Sequence, residues 1–420
     1  MKKKRIAVIG GGIAGITASF LLQQKHLVSL FEKNEYVGGH TNTVIVPDGD
    51  DAGTPIDTGF SVFSNSKDSN LMRLFNRLGI KYGSSDLSFS YTSKNDNIIY
   101  STNGPGRIFS QRRKLFSKRF WNFSNGIVHC GKLLQSALQN GDLQNKTVPE
   151  AFYATGLSPD VFNWMIVPMA STVWSSSARS VHDLPAEAFV RFMDYFGLLT
   201  PLSRHRCHYI HGGSKSYIEK FLMNFKGTVH KHKEVSQVRR KNKKCTVICR
   251  DGYNEDFDYI VMATHADQAL DLLHKPTDDE KELLGVWKYT SAETILHTDT
   301  SFLPPIRRAW SSWNVKHDSS GDDTSPTVTY WMNPLQQLDT RRSYCVTINP
   351  PPDIDEQRVL SRITYHHPIY TFKALDRQNR LQTLNGNRNT YFCGSYFGNG
   401  LHVDACDSAV RIAQSFGIEL

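Results

Sequence analysis

The stretch IAVIGGGIAGITASFLLQQKHLVSLFE, Ile6 to Glu32, holds in order an apolar run, three spaced glycines, a helical pattern, a second apolar run and an acid. Ile6-Ala7-Val8-Ile9, bounded by glycines, reads as a buried parallel strand. Gly10, Gly12 and Gly15 fall on the G-x-G-x-x-G spacing. The first glycine allows a tight turn, the second lets the backbone approach a pyrophosphate, and the third lets the following helix pack close to the strand. Ile13 to Gln24 continue at helical period, so the N–H groups of the first turn, those of Ile13 and Ala14 included, face the phosphates with the positive end of the helix dipole. Leu27 to Phe31 then lead into Glu32, whose carboxylate can hold a pair of ribose hydroxyls, with Lys33 beside it at the same site. A glycine triplet alone is weak evidence. The complete order points to a dinucleotide-binding βαβ unit.

The next segments narrow the nucleotide. Gly38 and Gly39 permit another close backbone approach, and His40 and Thr41 follow them directly. Asp57, Thr58, Gly59 and Phe60 form a D-x-G element a little further on. This combination resembles the flavin-containing amine oxidase and phytoene desaturase superfamily, which carries a GG(R)xxT motif and an acidic DxG element here. His40 stands where most of those enzymes place an arginine on the pyrophosphate, and a histidine is a weaker, pH-dependent phosphate partner. GGHTNTV, DTGFSVF, HGGSKSY, AWSSWN, VTYWMNPLQ, YHHPIY and YFCGSYFGNGLHVDAC run in order along nearly the whole chain. Together they are similar to a bacterial FAD/NAD-binding oxidoreductase family, related to the N-terminal module of plant cyclopropane-fatty-acid synthases. The resemblance implies FAD and an α/β fold: a Rossmann-like FAD-binding domain of the GR2 type with an inserted α+β substrate domain. Residues 1–60, 205–270 and 385–420 are expected to form the first, and 61–204 and 271–384 the second.

Composition sets outer bounds. The 420 residues suffice for two or three domains, and 39% hydrophobic with 21% charged residues is ordinary for a soluble globular protein. A net charge of +9 favours anionic surfaces. The start, Met1-Lys2-Lys3-Lys4-Arg5, lacks the apolar core of a signal peptide, and no run reaches transmembrane length. The 7 cysteines are scattered without a C-x-x-C, which fits reduced thiols. The expectation is a cytoplasmic protein in peripheral contact with the inner membrane surface, taking a small-molecule or lipid substrate.

Ser61 to Arg204 is expected to be mainly helical, with an amphipathic helix over Ser69 to Leu78 ended by Gly79. Arg107 to Val128 interleaves Arg112, Arg113, Lys114 and Lys118 with Leu115, Phe116, Phe120 and Trp121. It reads either as an interfacial element at a bilayer or as a solvated helix face over a buried aromatic stripe. No nucleic-acid motif accompanies it. Arg204 to His211 contains three histidines, but strand alternation puts His208 opposite His205 and His211, so a structural role is preferred over a metal site. In related flavoproteins a valine backbone meets the adenine, and Val235 matches that position. Thr264 lies in the turn that closes the sheet near the cofactor. Three strands are expected between Trp287 and Pro352, as a wall under the flavin. Amine oxidases hold a lysine in the first of them; Ser291 to Ile295 has none, and Lys288 reads as a surface or loop residue.

At the other end, Tyr391 to Tyr396 reads as strand and turn, and Asp404 to Ala413 as a helix capped by Asp404. The resemblance puts Gly394 and Ser395 near phosphate and ribityl chain, and Gly400, Leu401, His402 and Val403 along the isoalloxazine. Leu401, Val403 and Ala405 replace the family's usual residues and alter that bed. His402 is the candidate catalytic residue, as general acid or base, or else a second hydrogen bond to the flavin. Trp331, Tyr365, His366 and His367 are candidates for the pocket lining, against the alternative of plain core. The reaction implied is hydride transfer from a substrate C–H to flavin N5, by a dehydrogenase, oxidase or desaturase, on a lipid or fatty-acyl substrate. With one complete glycine motif, oxygen, a quinone or a protein is the expected electron acceptor. An amine or protoporphyrinogen-type oxidase, and a non-catalytic flavoprotein partner of a fatty-acid-modifying enzyme, are the alternatives.

Overall fold

The computed structural model describes residues 2–64, 69–104, 106–174, 178–199, 207–241, 243–317, 326–351 and 353–420. Strand β1 (Arg5–Ile9), helix α1 (Ile13–Leu22) and strand β2 (Leu27–Phe31) form the expected βαβ unit. β1 pairs in parallel with β2, Val8 opposite Leu30, and on its other side with Tyr259–Met262, Ile6 opposite Tyr259. Thr228–His230 and Thr390–Phe392 complete a five-stranded parallel sheet at its two edges. Ile6, Val8, Ile16, Leu21 and Leu30 are fully buried, as befits a sheet covered on both faces. α1 packs on the long C-terminal helix His402–Ser415, whose Ala405, Ala409 and Ala413 let the two axes approach.

A seven-stranded sheet builds the second layer of the molecule. Its order is Val359–Ile369, Lys288–His297, Cys345–Ile348, Thr327–Trp331, Trp313–His317, Phe89–Ser93 and Ile98–Ser101. The three strands expected between Trp287 and Pro352 are all in it. Lys288 is exposed, at the start of a strand rather than in a loop. An antiparallel three-stranded sheet, Val235–Lys241, Lys244–Cys249 and Asn254–Phe257, flanks the parallel one. The side chains of Arg240 and Glu280, 1% and 3% exposed, pair there in the interior.

The expected helix Ser69 to Leu78 is present as Asn70–Leu78, with the Ser69 hydroxyl accepting from Met72 N–H and Gly79 left-handed at its end. The wider reading of Ser61 to Arg204 as mainly helical needs correction. Phe63–Ser64, Tyr82–Ser85, Phe89–Ser93 and Ile98–Ser101 are strands, and helices dominate only from Arg112 onwards. Phe89–Ser93 pairs on both sides and is buried at every residue, so it lacks the alternation that would mark it as a strand. Cys207–Ile210 is a strand between Phe63–Ser64 and Tyr82–Ser85, and the His208 Nδ1–H donates to the Gly83 carbonyl at 3.1 Å. That is the structural role preferred for this segment; Arg204, His205 and Arg206 lie outside the described residues.

Candidate active site

The cleft begins at the glycine loop. Gly10 has φ +104°, and a Cβ there would sit 2.7 Å from the Ala263 carbonyl oxygen. A Cβ on Gly15 would lie 1.9 Å from the Gly10 oxygen, so no side chain fits between helix and strand. Gly12 differs: a Cβ there would meet nothing within 4 Å. It caps α1 without any side-chain hydrogen bond, which leaves the first-turn amides of Ile13 and Ala14 facing open space. This is the shape of a cradle for a phosphate. Gly38 and Gly39 close its side, with Gly38 N–H donating to Gly11 oxygen at 2.9 Å and a Gly39 Cβ only 3.2 Å from Gly12 Cα.

Glu32 is buried at the end of β2 and accepts from Gly11 N–H and Asn34 N–H, both at 2.9 Å. Val235 is buried nearby, since Lys233 N–H bonds the Glu32 carbonyl. Lys33 is exposed. Thr264 lies against the glycine loop, its methyl 3.2 Å from the Cβ position of Gly10.

Side chains build the other half. Thr41 Oγ1 hydrogen-bonds the Tyr217 hydroxyl and lies 3.2 Å from His402 Nε2. The His402 ring stacks on Phe60 with centroids 3.7 Å apart. His402 opens the C-terminal helix, whose first turn is tied by the Asp404 carboxylate accepting from Asn399 N–H and Leu401 N–H, each at 2.9 Å. Burial raises Asp404 to about 6. Gly398 must be glycine, because a Cβ would lie 2.3 Å from that carboxylate. Gly400 (φ +86°) and the half-buried Leu401 lead into the helix, and Val403 is buried among core residues.

Three further histidines meet around His40. Its ring stacks on Tyr365 at 5.1 Å, with His367 at 5.5 Å and His265 at 6.1 Å. His40 Nε2 is 3.1 Å from the His366 carbonyl, which can only accept, so the proton sits on Nε2. The His265 ring lies flat on Tyr289 at 4.4 Å, and Ser291 Oγ is 3.1 Å from His366 Nδ1. Burial lowers His40 to about 4, opposed by the bond to His366. Burial, then the charge of His40, lowers His265, His367 and His402 to about 3. At neutral pH these rings are uncharged donors and acceptors.

Two expectations are revised, for Asp57 and for Trp331. Asp57 does not offer its carboxylate to the cleft. It is fully buried and accepts from Thr43 Oγ1 at 2.6 Å, Ser214 Oγ and N–H at 2.8 Å each, and Gln336 Nε2 at 2.8 Å. Burial raises it to about 7. It ties three distant segments together behind Thr58, whose hydroxyl bonds Tyr365 at 2.9 Å. Gly59 lets this happen, since a Cβ there would lie 2.2 Å from the His40 carbonyl oxygen. Gly394 N–H is taken by Ser408 Oγ at 3.0 Å, so this amide is spent inside the fold; Ser395 opens the turn after it. Trp331 does not join Tyr365, His366 and His367. It lies three strands away, edge-on to Trp310 at 5.2 Å.

Tyr217, Ser214 and Gln336 were not singled out from the sequence, although HGGSKSY and VTYWMNPLQ contain them. Their signal was the motif, without a partner to give it meaning.

The sequence profile of flavin-containing amine oxidoreductases matches residues 13–415. The chain belongs to that family. It is a flavin-dependent oxidoreductase, and its α/β fold is the one found in solved relatives. The CLA-producing fatty acid isomerase from P. acnes is similar with a TM-score of 0.70 at 15% identity, over 99% of both chains. Cyclohexylamine oxidase from Brevibacterium oxydans IH-35A gives 0.70 at 13% identity, over 99% of this chain and 100% of that one. At the sequence level, zeta-carotene desaturase from Zea mays is 38% identical over 78 residues, which is 18% of this chain and 13% of the desaturase. No helix among the described residues is long and apolar enough to cross a membrane.

Proposed function

We propose that the flavin is FAD and that the chain oxidises or rearranges a C–H-bearing lipid or fatty-acyl substrate. The observation that carries the reading is the meeting of an open phosphate cradle at Gly12 with His402 and Thr41 at the start of a helix. Gly10, Gly12, Gly15, Gly38, Gly39 and the amides of Ile13 and Ala14 would hold the pyrophosphate. Glu32, with Val235 and Lys33 near it, would hold the adenosine. Gly400 to Val403 would border the isoalloxazine, with the dipole of His402–Ser415 favouring negative charge there. When bound, the flavin supplies the redox step by accepting hydride from substrate carbon.

This chain's residues then do the rest. His402, held by Thr41 and kept uncharged by burial, offers a neutral ring that would orient substrate or flavin by a hydrogen bond, since burial opposes its taking up a proton. His40 stands where the family carries an arginine, but its Nε2–H is given to the His366 carbonyl and burial keeps the ring uncharged, so the backbone cradle would carry the phosphate without a cation from this position. The wall strand Lys288–His297 has no lysine beyond its exposed first residue, which disfavours simple amine oxidation. The likeness to a carotene desaturase is in keeping with a long-chain substrate, and the solved structures, an isomerase of fatty acids and an amine oxidase at the same TM-score, do not separate the two classes. We place peripheral membrane contact at Arg112–Trp121, where Phe116 is 94% exposed among cations.

The test is spectroscopic. The purified protein should show flavin absorbance, and anaerobic mixing with phospholipid-bound unsaturated or methylated acyl chains should bleach it. Bleaching by polyamines or porphyrinogens alone would replace the lipid reading with the oxidase one.

A further inference from the structure

A short hydroxyl relay runs from the interior of the fold to His402. Tyr217, on the helix Lys215–Asn224, is fully buried, and Thr41, just past Gly38 and Gly39, is 2% exposed. The Tyr217 hydroxyl and Thr41 Oγ1 hydrogen-bond each other, and Thr41 Oγ1 lies 3.2 Å from His402 Nε2. The two contacts join residues 176 and 361 positions apart in the chain.

Counting hydrogens gives the relay a direction. Among the described residues Thr41 is the one hydrogen-bond partner of the Tyr217 hydroxyl. Were Thr41 to donate to Tyr217, the phenolic hydrogen would stay buried with nothing to accept it. Tyr217 therefore donates to Thr41, and Thr41 gives its single hydrogen to His402 Nε2. A ring nitrogen that accepts carries no proton, so in the neutral imidazole the proton sits on Nδ1. The imidazole is neutral at physiological pH, since burial lowers it to about 3. Phe60 holds the plane of the ring, stacked at 3.7 Å with the two planes 14° apart. Nδ1 of this half-buried side chain is then its one ring nitrogen without a partner among the described residues.

We propose that Tyr217, acting through Thr41, fixes His402 as a neutral Nδ1–H donor, and that this donor meets an acceptor atom on the rim of the isoalloxazine. The second part rests on the reading of Gly400 to Val403 as the border of that ring; the first part rests on the protein alone. Tyr217 is thereby a positioning residue, which touches neither flavin nor substrate. A hydrogen bond donated to the flavin rim strengthens as negative charge gathers there on reduction. The relay thus works in the same sense as the dipole of the helix His402–Ser415.

Two measurements test the two parts. Long-range proton–nitrogen correlation spectra of the histidine-labelled protein, recorded on the protein as purified, report the tautomer, with His402 assigned by its loss in His402→Gln. Wild type should show His402 protonated on Nδ1. Tyr217→Phe leaves the Thr41 hydroxyl free to donate or accept, so a mixture of tautomers is expected, whereas Thr41→Ser should keep the wild-type form. The midpoint potential of the flavin-loaded protein should become more negative in Tyr217→Phe and further so in Thr41→Val. For the latter a tenfold loss of preference for the reduced cofactor is expected, about 30 mV for a two-electron couple. A wild-type His402 protonated on Nε2, a reading that needs no variant to fold, would overturn the relay. So would a Tyr217→Phe spectrum identical to wild type. Unchanged potentials in both variants, with the tautomer shift present, would overturn the flavin contact. A colourless preparation would remove the flavin reading, and the tautomer would still be read from it.

Discussion

The two halves of the cleft are made of different material. The glycine loop is backbone: Gly10, Gly12 and Gly15 set a path, and only Glu32 adds a side chain to it. The facing half is side chain on side chain, with Thr41 against His402, His402 on Phe60, His40 on Tyr365 and Tyr365 bonded to Thr58. The first half fixes only that a dinucleotide fits, because a tight turn and an open helix start suit any of them. The second can change from relative to relative, because each contact depends on a pair of residues. Reaction type is therefore written in the second half.

The contrast can be broken by substitution, in descending order of effect. Gly15→Val should remove the first half outright: the new Cβ would lie 1.9 Å from the Gly10 oxygen, and a loss of about 3 kcal/mol or more is expected. Flavin content and thermal midpoint would report it, and a yellow, normally stable variant would refute the close approach. Asp57→Ala should be next, at about 2–4 kcal/mol, because the Ser214 amide and Gln336 amide are left buried without an acceptor. Asp57→Asn should recover part of that in a urea titration.

Thr41→Val should cost about 1–2 kcal/mol by orphaning the Tyr217 hydroxyl, yet retain flavin. If His402 orients substrate or flavin, the variant's rate of flavin bleaching should fall more than its substrate affinity. The smallest effect is on pH dependence. His402 is held near 3 by burial, while an unfolded histidine titrates near 6.5. Below about 6.5 the unfolded chain takes up a proton that the native one refuses, so stability falls with acid. Asp57, raised to about 7, acts oppositely over the same range. His402→Gln should therefore flatten the acid-side decline in urea midpoint between pH 6.5 and 4. An unchanged slope would mean that His402 is not buried as described.

How much of this was legible follows the same division. Spacing alone located β1, α1, β2 and the three glycines, since each encodes a local conformation. The family resemblance, not spacing, located His40, Thr41 and His402, and it did not tell what they touch. His40 meets the His366 carbonyl across 326 positions, Thr41 meets His402 across 361, and Asp57 meets Gln336 across 279. No periodicity reports on such distances. Asp57 is expected from the motif at the cofactor, and the structure shows its carboxylate engaged by Thr43, Ser214 and Gln336. Trp331 was grouped with Tyr365 by residue type, and strand order separates them.

The parallel sheet interleaves Arg5–Ile9, Leu27–Phe31, Thr228–His230, Tyr259–Met262 and Thr390–Phe392. A ribosome thus releases the strands of the phosphate cradle early but the edge strand Thr390–Phe392 last. Throughout translation the nascent chain carries an unfinished ribbon, with ladder groups waiting on residues not yet made. Sticky edges of that kind attract other strands, so biogenesis should lean on chaperones until Thr390–Phe392 docks.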